Sequence, residues 1–75
     1  MKELIEYIAK AIVTTPQSVV VTEVTSDQGV AIKLEVAAED KGRVIGKQGR
    51  VAEAMRTLLR VAAAKANTRA TLEIV

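Results

Sequence analysis

The stretch Gly42-Arg43-Val44-Ile45-Gly46-Lys47-Gln48-Gly49-Arg50 most constrains how this chain can fold. It sets a four-residue Gly-Lys-Gln-Gly loop between two apolar helical segments and surrounds the loop with positive charge. Glycine lacks a Cβ, so Gly46 and Gly49 can take backbone angles closed to other residues and let a ligand approach the main chain. The second glycine stands where a new helix begins, and the N–H groups there, with the positive end of the helix dipole, favour an anion. Lys47, Arg50 and Arg43 add mobile positive charge around the same point. Glycine just past a helix end is common in proteins that bind nothing. Here, however, residues 41 to 50 hold Lys41, Arg43, Lys47 and Arg50 and no acid, and the apolar pair Val44-Ile45 directly precedes the loop.

The rest of the chain supplies the elements around that loop. Leu4, Ile5, Ile8 and Ile12 recur at three- and four-residue steps with Lys2, Glu3, Glu6 and Lys10 between them, the period of an amphipathic helix, and Pro16 stops it. Residues 18 to 25, rich in Val and Thr, predict a strand, and Ser26-Asp27-Gln28-Gly29 suits a tight reversal into a second strand. There Val30, Ile32, Leu34 and Val36 alternate with Ala31, Lys33 and Glu35. Residues 38 to 45 predict a short helix with Glu39 and Asp40 in its first turn, where acids meet the positive dipole end. From Arg50 a longer helix sets Val51, Ala54, Met55, Leu58, Leu59, Ala62 and Ala63 on one face, with Asn67 as a stop. Ala70, Leu72 and Ile74 then alternate with Arg69, Thr71 and Glu73 in a third strand. The order αββααβ has no linker, so residues 1–75 form one α+β domain with a three-stranded mixed sheet, helices on one face, and a right-handed crossover between parallel strands.

Composition narrows the function. With no Cys and no His, disulfides, the usual zinc sites, thiol nucleophiles and imidazole bases are all absent. An enzyme is therefore not expected, and neither is a cofactor or metal. Gly42 to Lys47 resembles a phosphate-binding P-loop only loosely: three residues separate the glycines instead of four, and Gln48 replaces the magnesium-binding hydroxyl. No run is long enough to span a membrane and no leader segment opens the chain, which predicts a cytoplasmic protein. Residues 1 to 38 carry three basic and five acidic side chains, and residues 39 to 75 eight and four, so the halves stand at −2 and +4. A polyanion-facing surface belongs to the second half.

The V-I-G-K-Q-G-R core and the αββααβ order resemble type II KH domains, in particular the small bacterial KhpA-like group of that family, over nearly the whole chain. The resemblance implies a GxxG loop whose backbone clamps single-stranded RNA, about four nucleotides at a time. It also implies an aliphatic groove beside the loop. Mapped residue by residue, the RNA-binding set is Arg43, Val44, Ile45, Gly46, Lys47, Gln48, Gly49, Arg50, Val51 and Ala54, with Val44, Ile45, Val51 and Ala54 forming the floor for bases. Because Tyr7 is the only aromatic, base stacking on an aromatic sheet surface is excluded. Family members are described as RNA chaperones or post-transcriptional regulators, and as pairing with themselves or with a second KH-containing RNA-binding protein. A homodimer is expected here, through the loop region and the small residues Ala52, Ala63, Ala64 and Ala66. The alternative is a protein-protein assembly module whose loop is vestigial.

Overall fold

The strand segments pair as their alternation requires. In the computed structural model, which describes all 75 residues, the elements in chain order are α1 (Lys2–Ile12), β1 (Val20–Ser26), β2 (Gly29–Glu35), α2 (Lys41–Ile45), α3 (Arg50–Lys65) and β3 (Ala70–Ile74). Short 3-10 turns cover Pro16–Ser18, Ala38–Asp40 and Lys47–Gly49. The sheet order is β1-β2-β3, with β1 antiparallel and β3 parallel to the central strand. Ile32 sits opposite Glu23 on one side and Leu72 on the other. Val30, Ile32 and Leu34 turn inward and Ala31, Lys33 and Glu35 outward, so one face of β2 is core and the other is solvated.

The helices close the inward face. Ile5 and Ala9 of α1, Val44 of α2 and Met55 and Leu59 of α3 are buried with Val21, Ile32, Leu34 and Leu72 of the sheet. The α1 N-terminus borrows an acceptor from the sheet, where Glu23 Oε1 takes the Lys2 N–H at 3.0 Å. At the far end of α3 the chain turns through Asn67 in a left-handed conformation, φ +58°, and Val30 N–H donates to Arg69 carbonyl oxygen at 2.8 Å. This bond brings β3 into register with β2.

Four expectations need correction. The first strand begins at Val20, because Pro16 starts a 3-10 turn that carries Gln17 and Ser18. The helix expected over 38 to 45 is a 3-10 turn followed by the five-residue α2, and Asp40 points into the protein instead of toward the dipole in solvent. The buried residues of α3 are Ala52, Met55, Leu59 and Ala63, while Ala54 and Leu58 are exposed. For the same reason Ala52 and Ala63 are not on a free small-residue face; only Ala64 and Ala66 of that set are exposed.

Candidate nucleic-acid interface

The backbone of the loop between α2 and α3 explains why its glycines stand where they do. Gly46 N–H closes α2 by donating to Gly42 carbonyl oxygen at 2.8 Å. The chain then leaves the helix at Gly46 with φ +79° and ψ 170°, a conformation that only glycine adopts without strain. A Cβ there would fall 2.5 Å from Val51 Cγ2 and 2.8 Å from Val51 N. Gly49 is also left-handed, φ +74°, but a Cβ on it would meet nothing within 4 Å, so its requirement is conformational alone. Between them Gln48 is held at φ +58°, ψ +26° despite its side chain, at a cost of roughly 1–2 kcal/mol. Its Oε1 accepts from Arg50 Nη2 at 3.3 Å.

The 3-10 turn over Lys47–Gly49 moves the anion-facing donors. Gly49 N–H donates to Gly46 carbonyl oxygen at 3.1 Å, and Arg50 N–H donates to that of Lys47. The Gly49 N–H and the first N–H of α3, that of Arg50, are therefore engaged within the turn. The cations flanking the glycines stay on the surface. Lys47 and Arg50 are exposed, and the Arg43 side chain is 58% exposed with its Nε 3.8 Å from Asp40 Oδ1.

Of the four apolar residues expected beside the loop, Val44 is 0% exposed and belongs to the core, so it offers no surface to a ligand. Ile45 is 42% exposed, Val51 half-buried and Ala54 exposed. A second feature involves Arg56 and Arg60 of α3. They line a cleft of about 190 Å³ with Ala70, Thr71 and Leu72 of the edge strand β3. Arg56 Nη2 reaches Leu72 carbonyl oxygen at 3.5 Å, while its Nη1 pairs with Glu53 Oε1 at 3.5 Å. The only signal in the sequence was their i,i+4 spacing on α3. A larger cleft of about 970 Å³ lies between the β1–β2 turn and residues 67 to 69. It is at the opposite end of α3 from the loop, about 24 Å away along a 16-residue helix.

Asp40 is the one buried charged residue. Its Oδ1 accepts from Thr14 N–H at 3.0 Å and Thr14 Oγ1 at 2.8 Å, and its Oδ2 from Thr15 N–H at 3.1 Å. The Thr14 N–H above all holds the carboxyl below its ordinary range, against the upward push of burial. The Thr14 hydroxyl, the Thr15 N–H and Arg43 act in the same lowering direction. No three His, Cys, Asp or Glu side chains come together in a way that could hold a metal ion, and no helix is long and apolar enough to cross a membrane.

Comparison with known proteins shows the family of the chain. The family model described as the KH domain of KhpA and KhpB matches residues 2–74. The chain is 52% identical over all 75 residues to a protein named RNA-binding protein KhpA from Clostridium acetobutylicum, with both chains covered completely. Identity is 51% over 75 residues to the protein of that name from Caldanaerobacter subterraneus subsp. tengcongensis, again with complete coverage of both. To the one from Treponema pallidum it is 49% over 74 residues, 99% of this chain and 92% of the relative. No solved structure matched the chain.

Proposed function

Because the chain belongs to the KhpA/KhpB family of KH domains, we propose that it binds single-stranded RNA through the Gly46–Gly49 loop and the apolar surface next to it, without catalysing a reaction. The observation that carries this reading is the loop itself. Two glycines at positive φ, where other residues are strained, enclose Lys47 and Gln48, and exposed cations flank them in Arg43 and Arg50. With the Gly46 and Gly49 N–H groups bonded internally, the backbone donors for a phosphate are those of Lys47 and Gln48. Ile45, Val51 and Ala54 offer aliphatic surface for bases, and Arg56 and Arg60 extend the cationic track along α3 toward β3. RNA chaperoning or post-transcriptional regulation in the cytoplasm follows from that binding, with a second copy or a second KH protein as partner.

Filter binding with mixed-sequence single-stranded RNA tests the reading. Replacing Lys47 and Gln48 together by Asp puts two negative charges where the phosphate sits and leaves both glycines and every core residue in place. The expected result is lost RNA binding in a protein whose circular dichroism is unchanged. Undiminished affinity in the folded double variant contradicts the clamp and favours an assembly module with a vestigial loop. With two or three phosphates neutralised by Arg43, Lys47 and Arg50, log affinity should fall against log salt with a slope of roughly −1.5 to −2.

A further inference from the structure

α2 has only five residues, and an isolated helix so short does not hold its shape in water. Its place, and the place of the loop that follows it, must be imposed by contacts outside the helix. Two residues do this, Val44 in the core and Asp40 just before the helix, both 0% exposed. Asp40 ties the start of α2 to the turn after α1 through its three hydrogen bonds from Thr14 and Thr15. One turn further along α2, Arg43 reaches back to the same carboxylate with Nε at 3.8 Å, and its side chain stays more than half exposed. With Nε facing the carboxylate as an ion pair, too long for a hydrogen bond, the guanidinium keeps both terminal nitrogens for another oxyanion.

We propose that Asp40 is a positioning residue for RNA binding: it fixes the Gly46–Gly49 loop to the Thr14–Thr15 turn and orients Arg43 toward a phosphate. The inference rests on the reading of that loop as the RNA clamp. Its content lies in the sign of one effect. A carboxylate beside a phosphate is a like charge, so if Asp40 were only a neighbour, neutralising it would tighten RNA binding. If it served stability alone, a variant that remains folded would bind as the parent does. A positioning residue behaves otherwise, because its loss weakens binding even though a negative charge has been removed. Asn has the same shape as Asp, but its Nδ2 is a donor and must face the N–H of either Thr14 or Thr15, so at least one tie is broken along with the hold on Arg43.

The experiment is fluorescence anisotropy with a labelled single-stranded oligoribonucleotide, at a temperature where circular dichroism shows each variant folded. The set is the parent chain, D40N, R43Q, the double variant D40N/R43Q, T14V and the K47D/Q48D control. D40N should bind on the order of three- to tenfold more weakly than the parent. T14V, which removes only the hydroxyl donor, should shift affinity the same way by less, and it decides the matter should D40N fail to fold. In the R43Q background the D40N effect should shrink, since one of the two groups that Asp40 positions is already missing. Affinity of folded D40N or T14V equal to or tighter than the parent overturns the inference, while loss in K47D/Q48D leaves the clamp standing. No RNA binding by the parent overturns both.

Discussion

Gly42 and Gly46 stand one helical turn apart and answer to opposite physics. Gly42 lies inside α2 with nothing within 4 Å of an added Cβ, so Gly42→Ala should stabilise the fold by about 1 kcal/mol through helix propensity. For a domain of this size that raises the melting temperature by roughly 4–8 °C. Gly46→Ala meets both a forbidden φ and the Val51 backbone, and should cost about 2 kcal/mol or more, readable in the same thermal melt as a shift the other way. Asp40 adds a pH dependence whose sign is fixed. Its carboxyl is depressed in the folded state, chiefly by the Thr14 N–H, so its contribution is complete above the unfolded carboxylate range and is lost as acid titrates the folded form. Denaturant melts below about pH 4 should therefore show a steeper loss for the parent than for D40N. At this scale the loop glycines and cations were legible in the sequence. The inward turn of Asp40 was not, since its partners lie 25 and 26 positions away and no local pattern announces them.

Among the elements, β2 was the easiest to read and α3 the hardest. Strict alternation of large aliphatic residues leaves a strand only one way to face a core, and Val30, Ile32 and Leu34 all turn inward. In α3, by contrast, apolar residues occupy most of the circumference, and the alanines among them carry too little surface to decide the phase. The stripe Val51, Ala54, Leu58, Ala62 has the same three- and four-residue spacing as Ala52, Met55, Leu59, Ala63, and the second is the buried one. Leu59→Ala should cost about 2–5 kcal/mol, whereas Leu58→Ala, at a residue 46% exposed, should cost under ~1 kcal/mol. Chemical denaturation of the two variants distinguishes the phases directly, and equal losses would contradict this orientation of α3.

The whole molecule is a small domain whose size allows it to bury only roughly 60% of the surface of its unfolded chain, with no disulfide to add stability. Leu58 and Val61, 46% and 50% exposed on α3, are apolar surface that a second copy would cover, and light scattering at micromolar concentration should give a mass near twice 8.0 kDa. A monomer mass at high concentration would contradict that pairing. The αββααβ order and mixed sheet were legible in the sequence because each segment has one dominant period and the GxxG loop fixes where two helices meet. The Arg56–Arg60 cleft was not, because it exists only where α3 crosses β3. The claim that the loop is where RNA binds is tested most directly by titrating isotope-labelled protein with a single-stranded oligoribonucleotide and following backbone amide shifts. The largest changes are expected at residues 46 to 50, with smaller ones at Arg43, Ile45 and Ala54 and none on the outer sheet face at Thr22, Val24 and Lys33. Shifts concentrated on that sheet face, with the loop amides unmoved, would contradict it.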